Sequence, residues 1–345
     1  MSRSVENMRH FTTTEDWSRG ELEGLLELAA GLKKQPFQTL LHNRTIALLF
    51  FNPSLRTRSS FDIGIHQLGG HAVILEPGKG SWPIAFDPIE SHGVMEGEPE
   101  EHVREVARVL SRYCDLIAVR AFPKFQSWQE DREDAVIRAF VKHATVPVIN
   151  LETIVHPCQE LALALTLKEK FGTLDRRRFL LTWTYHPRPL NTAVANSALL
   201  IAAKMGMDVT LLCPSQEYLL DPRYIEAARA YTDRQGRRFS ITHDIDSAYR
   251  GAEVVYAKSW GALPYFGRWH EERELRERAR HFIVDKPKMT LTPSAYFSHC
   301  LPLRRNVKAT DEVIDSPRSL VIEEAENRLH VQKAVMVRLL EAPHE

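Results

Sequence analysis

The stretch TIALLFFNPSLRTRSSF, residues 45–61, contains the transition that decides the fold. Its apolar run, 45–51, has the length of a buried β-strand. An Asn-Pro-Ser break follows, and Ser is one of the residues preferred at the start of a helix. A strand that leads directly into a helix is the repeating unit of proteins with parallel β-sheets.

The same alternation of short apolar runs and longer amphipathic stretches continues along the chain. It is typical of a parallel sheet whose two faces are covered by helices. The other predicted strands are 71–76, 115–122, 146–151, 179–185, 207–213, 253–258 and 298–301, and helices are predicted at 100–113 and 191–205. In the latter helix, Val194, Ala198 and Ile201 recur on one face, which is expected to pack on a sheet. These patterns predict an α/β protein with two domains of similar size, each a mostly parallel sheet flanked by helices.

The length agrees with that organisation, because 345 residues suffice for two domains of roughly 100–200 residues each. The first domain is predicted to span 1–155 and the second 156–322, with a helix at 156–171 as the bridge. A final amphipathic helix, 323–341, is expected to return to the first domain. Near the N-terminus, Ser18 and Glu21 form the S-x-x-E pattern that opens a helix.

Composition and charge argue against several classes of protein. The 45 Lys and Arg residues are balanced by 45 Asp and Glu residues, so the chain lacks the broad positive field of a non-specific nucleic-acid binder. No apolar run approaches the roughly 20 residues of a membrane-spanning helix, and the N-terminus lacks the apolar core of a secretory signal. The cysteines, Cys114, Cys158, Cys213 and Cys300, are too far apart for a zinc motif or a disulfide framework. We expect a cytoplasmic protein with reduced thiols, no metal site, and neither nucleic acid nor membrane as a partner.

The first candidate site follows the strand at 45–51. Ser54 and Thr57 supply hydroxyl groups, and Arg56 and Arg58 supply guanidinium groups, at the start of a predicted helix. Unpaired N–H groups and the helix dipole favour an anion there, and guanidinium forks suit phosphate oxygens. The segment therefore predicts a phosphate site without the glycines of a nucleotide-binding loop. The alternative is an ordinary helix cap with solvated arginines.

Three further signals stand at predicted strand ends, where ligands gather in open α/β sheets. His156 can donate to a carbonyl oxygen, and Gln159 can bond an amide one turn later. The backbone carbonyls of Cys300 and Leu301 could accept bonds from an –NH2 group. Arg120 could stabilise negative charge on an oxygen. The alternatives are a structural histidine cap, a Cys300 that is only a small buried hydrophobe, and an Arg120 that only pairs with a carboxylate.

Taken together, these segments resemble the aspartate/ornithine transcarbamylase family over nearly the whole chain. The resemblance rests on the ordered set Ser54-Leu55-Arg56-Thr57-Arg58, Arg120, His156-Pro157-Cys158-Gln159 and His299-Cys300-Leu301-Pro302. The chain is most similar to N-acetylornithine transcarbamylases, through FNPS at 51–54, WTYHP at 183–187, PLNTA at 189–193, YAKSWG at 256–261 and LRRNVK at 303–308. Ordinary ornithine transcarbamylases are expected to have STRTR and SMG where this chain has SLRTR at 54–58 and SWG at 259–261.

The resemblance implies the transcarbamylase fold, with a carbamoyl-phosphate-binding domain first and an amino-acid-binding domain second. It implies a homotrimer whose active sites lie between subunits, and an activity in arginine biosynthesis that needs no metal or redox cofactor. The residues that it assigns to carbamoyl phosphate are Ser54, Leu55, Arg56, Thr57, Arg58, Trp82, Arg120, His156, Gln159, Cys300, Leu301 and Arg328. Four of these are expected to act in catalysis: Thr57, Arg120, His156 and Cys300.

The resemblance assigns the amino-acid substrate, N-acetylornithine, to Glu100, Glu152, Asn191 and Lys258. Trp82 and Glu100 would reach the active site of a neighbouring chain. Lys308 is a candidate for carboxylation of its amine. The alternatives from the sequence are a helix-start carboxylate for Glu100, a solvated strand-end lysine for Lys258 and a surface lysine for Lys308.

The implied reaction transfers the carbamoyl group of carbamoyl phosphate to the δ-amine of N-acetyl-L-ornithine, giving N-acetyl-L-citrulline and phosphate. A negative Glu100 beside the acyl group should repel the extra carboxylate of N-succinylornithine, which favours the acetyl substrate. The alternatives are transfer to N-succinylornithine or ornithine, and a non-catalytic homologue that binds a phosphate ligand. A dinucleotide-binding oxidoreductase is disfavoured because G-x-G-x-x-G is absent after an early strand.

Overall fold

The computed structural model describes residues 8–86 and 94–341, and these contain alternating helices and strands. The helices are α1 Arg19–Lys34, α2 Leu55–Gln67, α3 Val103–Tyr113, α4 Trp128–Asp131, α5 Ala135–His143, α6 Pro157–Phe171, α7 Ala193–Lys204, α8 Pro222–Arg234, α9 Ile245–Tyr249, α10 Trp269–Arg278, α11 Lys286–Thr290, α12 Asp311–Ile314 and α13 Val321–Glu341. The strands are β1 Thr45–Phe50, β2 His71–Leu75, β3 Ile84–Ala85, β4 Glu101–His102, β5 Leu116–Arg120, β6 Val148–Glu152, β7 Arg178–Trp183, β8 Asp208–Leu212, β9 Phe239–Thr242, β10 Val254–Lys258 and β11 Tyr296–Ser298. Among the described residues, no helix has both the length and the apolar character needed to cross a membrane.

The chain divides into two compact units. The described part of the first unit comprises 8–86, 94–123, 129–158 and 328–341, and the second unit comprises 124–128 and 159–327. Helices α6 and α13 each contain a boundary between the units. Both units contain a fully parallel sheet, as the alternation of strands and helices predicts.

The first unit has the strand order β2-β1-β5-β6. Every residue of β5 is buried, whereas β2 at the edge is half-buried or exposed. Helices α3 and α5 pack together on this unit, with Ala107, Ile137 and Phe140 in its apolar core. The predicted capping box is confirmed at α1, where Ser18 Oγ accepts from Glu21 N–H and the Glu21 side chain accepts from Ser18 N–H.

The second unit has the strand order β11-β10-β7-β8-β9. Helix α7 packs against β7, β8 and α8, and all of its residues are buried. The sequence predicted that one face of this helix would pack on a sheet. The contacts of α7 with β7 and β8 confirm that expectation, and α8 covers the helix on a further side, which its apolar composition permits.

Several predicted boundaries of helices and strands were wrong. Helix α3 begins at Val103 because the preceding two residues form β4, which pairs with β3. Strand β11 ends at Ser298, since Leu301 has a left-handed backbone with φ of 53° and cannot continue a strand. Strand β9 was missed altogether. It is a short edge strand whose residues are exposed or half-buried, so it lacks the apolar run that identified the others.

Candidate active site

The carboxyl edge of the first sheet brings three predicted segments together. Strands β1 and β5 pair with Phe50 opposite Arg120, and β5 and β6 pair with Arg120 opposite Glu152. The segments that follow these strands therefore leave the sheet side by side. Phe122 N–H donates to Asn52 Oδ1 at 2.6 Å, which fastens the loop after β1 to the loop after β5.

Helix α2 begins at this edge with an oriented hydroxyl pair. Ser54 is its N-cap and accepts a 3.1 Å hydrogen bond from Thr57 N–H. Arg328 Nη2, from α13, donates to Thr57 Oγ1 at 2.9 Å. Gln332, in the amide orientation that satisfies both of its ends, accepts two bonds from the Arg328 guanidinium and donates to Ser60 Oγ. The buried guanidinium of Arg328 is thereby fixed beside the positive end of a helix, which is an arrangement suited to a phosphate group.

The other members of the 54–58 segment differ in their exposure. Arg56 is half-buried and Arg58 is exposed, with Arg58 Nη1 at 3.3 Å from Glu76 Oε2. Leu55 is 77% exposed, so its side chain does not belong to the core. Three guanidinium groups, those of Arg56, Arg58 and Arg328, thus belong to or contact the first turn of α2.

Arg120, Glu152 and His156 form a buried charged cluster at the same edge. Arg120 donates a short hydrogen bond to Glu152 Oε2, and His156 Nε2 lies 3.6 Å from that same oxygen. The expectation that Arg120 could pair with a carboxylate is confirmed. The pair also holds the guanidinium and the imidazole around a single carboxylate, so both can be aimed at one small polar ligand.

A second set of predicted residues lies at the carboxyl edge of the sheet in the second unit. Strands β7 and β10 pair with Trp183 opposite Lys258. Lys258 Nζ is 3.7 Å from Cys300 Sγ, which belongs to the loop after β11. Cys300 is buried, as its interpretation as a small hydrophobe requires, yet it also contacts a lysine.

Lys308 is buried rather than a surface lysine, with 2% of its surface exposed. The pKa of its amine is lowered to about 7, chiefly by burial and in addition by the positive charges of Lys258 and Arg304. His299 Nδ1 accepts from Leu301 N–H at 2.9 Å, so the proton of a neutral His299 is on Nε2. That nitrogen is 3.4 Å from Lys308 Nζ, which places a hydrogen-bond donor against a lysine amine that readily becomes neutral.

His186 and Arg304 lie close to Lys258 and Lys308, and sequence reasoning did not select either as a site residue. The pKa of His186 is lowered to about 4, chiefly by burial. The hydrogen bond with the Arg188 carbonyl raises this pKa, whereas the positive charges of Lys308, Arg304 and Lys258 lower it. Both residues stood inside the quoted WTYHP and LRRNVK motifs, which was the available signal. Lys258 and Arg304 supply positive charge in this region, which suits a carboxylate ligand.

Gln159 and Asn191 are buried in the second unit. Gln159 Nε2, in the first turn of α6, donates a short hydrogen bond to Glu324 Oε1. Asn191 Oδ1 accepts from Ala193 N–H at 3.2 Å, just before α7. Glu324 was also missed by sequence reasoning, because no local pattern marks a glutamate in the first turn of a helix as a partner of a distant amide.

Trp82 and Glu100 lie on the surface of the first unit, and Trp82 is 64% exposed. The parallel pairing of β3 and β4 aligns Ile84 with Glu101, which brings the two segments next to each other. Glu100 precedes β4 and therefore is not the helix-start carboxylate that was considered from the sequence.

Comparison with known proteins agrees with this geometry. Residues 9–169 match the carbamoyl-P binding domain, and residues 188–339 the Asp/Orn binding domain, of aspartate/ornithine carbamoyltransferases. An N-acetylornithine carbamoyltransferase of Xanthomonas campestris is 61% identical over 97% of this chain and 98% of its own. An N-succinylornithine carbamoyltransferase of Bacteroides fragilis is 35% identical over 97% of this chain and 99% of its own.

A solved structure extends the similarity to three dimensions. Acetylornithine transcarbamylase complexed with acetylcitrulline is 61% identical, with a TM-score of 0.94 over 96% of this chain and 99% of that one. Two matched domains and this agreement lead to one conclusion. The chain belongs to the aspartate/ornithine carbamoyltransferase family.

Proposed function

We propose that this protein is an N-acetylornithine carbamoyltransferase of arginine biosynthesis. It transfers the carbamoyl group of carbamoyl phosphate to the δ-amine of N-acetyl-L-ornithine and releases N-acetyl-L-citrulline and phosphate. The observation that carries the proposal is the start of α2, where the Ser54 cap and the bond from Arg328 to Thr57 prepare an anion site next to the cluster of Arg120 and His156. The identity of 61% to an enzyme with this name supports the choice of substrates.

In the proposed reaction, the neutral δ-amine nitrogen forms a bond to the carbamoyl carbon, and the bond from that carbon to the phosphate oxygen breaks. The nitrogen loses one proton, which the released phosphate takes up. Ser54, Arg56, Thr57 and Arg58 stabilise the charge that accumulates on the leaving phosphate. Arg328 assists through Thr57, and the exposed Leu55 and Trp82 cover the ligand. In known enzymes the removal of one such donor lowers the rate by about 100- to 1000-fold.

Other residues polarise the carbonyl group of carbamoyl phosphate and hold its –NH2 group. Arg120 and His156, with Thr57, bond the carbonyl oxygen as negative charge develops on it. Gln159 and the backbone carbonyls of Cys300 and Leu301 hold the carbamoyl –NH2. Orientation accounts for much of the expected acceleration, because both reactants are then held in an attacking geometry.

The amino-acid substrate is assigned to Glu152, Asn191 and Lys258. Lys258 pairs with the α-carboxylate, and the positive charge of Arg304 in the same region supports that assignment. An acylated α-nitrogen is uncharged, so it needs no dedicated carboxylate.

Lys308 is proposed to carry a carboxyl group on its amine. The pKa of about 7 leaves a large fraction of the amine neutral at physiological pH, and only a neutral amine can attack carbon dioxide. The negative carbamate would be compensated by the nearby Lys258 and Arg304, which act on Lys308 as like charges. This modification would convert an unfavourable group of cations into an ion-pair network.

The proposal includes a cytoplasmic homotrimer in which Trp82 and Glu100 of one chain reach the active site of the next. Support comes from the exposure of both residues and from an adjacent cavity of about 510 Å³ that Leu49, Leu75 and Val106 help to line. Exposed apolar groups at such a place favour a contact with another protein surface.

The alternative acceptors are N-succinylornithine and ornithine. The relative from Bacteroides fragilis, named for the succinyl substrate, is 35% identical, against 61% for the relative named for the acetyl substrate. This difference favours the acetyl substrate. A non-catalytic homologue is disfavoured because the proposed chemical side chains are all present.

One assay tests the proposal. Purified protein is incubated with carbamoyl phosphate and either N-acetylornithine, N-succinylornithine, ornithine or aspartate, and the ureido product is measured. We expect the highest kcat/KM with N-acetylornithine. Absence of product with every amine would contradict the proposed enzymatic activity. A higher kcat/KM with another amine would identify that amine as the substrate instead of N-acetylornithine.

A further inference from the structure

Beneath the proposed site for the carbamoyl –NH2 group, a buried carboxylate receives hydrogen bonds from three different elements. Glu324, in the first turn of α13, accepts from Gln159 Nε2 of α6 and from Tyr256 Oη of β10 at 3.1 Å, both through Oε1. Its Oε2 accepts a short hydrogen bond from Ser298 Oγ at the end of β11. All four side chains are buried and belong to the second unit. The carboxylate is therefore held in place and faces donors on each side.

We infer that Glu324 is a positioning residue that selects the amide ligand by fixing the orientation of Gln159. A side-chain amide has one donating and one accepting end, and these ends differ little in shape. The Glu324 carboxylate accepts from Gln159 Nε2 as well as from Tyr256 and Ser298, so the nitrogen of the Gln159 amide faces Glu324 and the amide oxygen points away from it. That oxygen can accept an N–H bond from a carbamoyl group. In the reverse orientation, the –NH2 group of Gln159 would face the –NH2 group of the ligand, and two donors cannot form a hydrogen bond with each other.

The same carboxylate also holds the second acceptor of the proposed –NH2 site. Ser298 directly precedes the His299 to Leu301 loop, whose carbonyls are the other proposed acceptors. Glu324 thus joins the amide of Gln159 to the end of β11 and positions both acceptors together. The inference rests on the proposed function, because it needs carbamoyl phosphate as the ligand.

A matched pair of stable ligands isolates this role from a general loss of structure. Phosphonoacetamide carries an –NH2 group next to its carbonyl, and acetonylphosphonate carries a methyl group there, while the phosphonate and carbonyl groups are shared. Titration calorimetry of each ligand gives the ratio of their dissociation constants. We expect the wild-type protein to prefer the amide by about tenfold or more, because unmet acceptors remain buried with the methyl ligand.

Two substitutions change the orientation of Gln159 without touching the ligand. Glu324→Met removes the acceptor, and Glu324→Gln allows residue 324 to present either a donor or an acceptor to Gln159. We expect the preference for the amide to fall at least threefold in both, with the affinity for acetonylphosphonate kept within about twofold. Should Glu324→Met fail to fold, the Glu324→Gln result decides the question.

The control is a second amide–carboxylate contact between the same two helices. Asn327 Nδ2 of α13 donates to Glu169 Oε2 of α6 at 2.8 Å, well away from Gln159. Glu169→Gln should keep the preference for the amide. A wild-type preference that persists in the Glu324 variants, or affinities for both ligands that fall in parallel, would overturn the role of Glu324. A wild-type protein that binds both ligands equally would overturn the inference together with the proposed –NH2 site, whereas the amine assay tests the enzymatic function separately.

Discussion

Arg328 and Thr57 are 271 residues apart in the sequence, and Arg328 Nη2 donates a 2.9 Å hydrogen bond to Thr57 Oγ1. The last helix of the chain thereby contributes directly to the start of α2. The side-chain oxygen of Gln332 accepts hydrogen bonds from Nη2 and Nε of the same guanidinium. The proposed anion site is consequently built by two helices that are far apart in the sequence.

Replacement of Arg328 by lysine tests this connection. Lysine keeps the positive charge but loses the planar fork that bonds Thr57 and Gln332 at once. We expect the KM for carbamoyl phosphate to rise by about 10- to 100-fold, the range for loss of a charge-assisted hydrogen bond. This KM is measured from initial rates at several concentrations of carbamoyl phosphate. Arg338→Lys, at an exposed position of the same helix, is the control. An unchanged KM in Arg328→Lys would show that the fork plays no part in binding.

The buried pair of Arg120 and Glu152 leads to a prediction about stability. Removal of one partner leaves an uncompensated charge in a site where the two side chains are 9% and 13% exposed. We expect Arg120→Met and Glu152→Met each to lower the free energy of unfolding by about 3–5 kcal/mol, and the double variant to lose less than the sum. Urea denaturation of the four proteins in this cycle measures the coupling. Strict additivity would contradict a direct ion pair.

Lys308 predicts an unusual dependence of stability on pH. The folded-state pKa of about 7 is below the ordinary value of 10.5, so between these values the unfolded chain binds a proton that the folded chain does not. Stability therefore rises with pH across this window, and the penalty for burying Lys308 is fully present below pH 7. In buffer free of carbon dioxide, Lys308→Met should be more stable than the wild type near pH 7, by an amount that shrinks towards pH 10. Thermal unfolding at several pH values tests this.

Bicarbonate supplies the complementary measurement for Lys308. Carboxylation should stabilise the wild-type protein when bicarbonate is added at neutral pH, and Lys308→Met should not respond. Lys34→Met, at an exposed position, should respond as the wild type does. Equal responses of the wild type and Lys308→Met would exclude carboxylation at this lysine.

Glu100 provides the prediction about acyl selectivity. In the proposed trimer, its negative charge lies beside the acyl group and repels the extra carboxylate of a succinyl substrate. We expect Glu100→Ala to raise kcat/KM for N-succinylornithine by at least tenfold and to change that for N-acetylornithine much less. Glu98→Ala, at an exposed neighbouring position, is the matched control. Failure of Glu100→Ala to gain activity on the succinyl substrate would remove this explanation of selectivity.

Local patterns were most informative where neighbouring residues alone determine structure. The apolar run before Asn52 predicted β1, and the Ser18 and Glu21 pattern predicted the capping box of α1. Strand β9 was missed because its residues have no strong apolar signal, and β11 was misplaced because the turn at Leu301 depends on the loop that follows. Short edge strands form through pairing with a neighbour, and that pairing is not visible in the strand's own sequence.

For the candidate site, the order of motifs indicated which residues to consider but not what surrounds them. From the sequence, Lys308 could be either a surface lysine or a carboxylated one. Its burial depends on the chain segments that pack around it. Glu324 was not selected from the sequence, although it accepts hydrogen bonds from three elements. The pairing of Arg120 with Glu152 depends on their positions opposite each other in the sheet, which the sequence does not show.

The order of residues along the chain was thus sufficient for the α/β class, the parallel strands and the family, since hydrophobic periods and helix caps depend on residues close together in sequence. The bond between Arg328 and Thr57, the orientation of Gln159 by Glu324 and the lowered pKa of Lys308 appeared only after folding. Each of these needs groups that are distant in the chain to meet where water is excluded, and burial strengthens their hydrogen bonds and shifts their protonation.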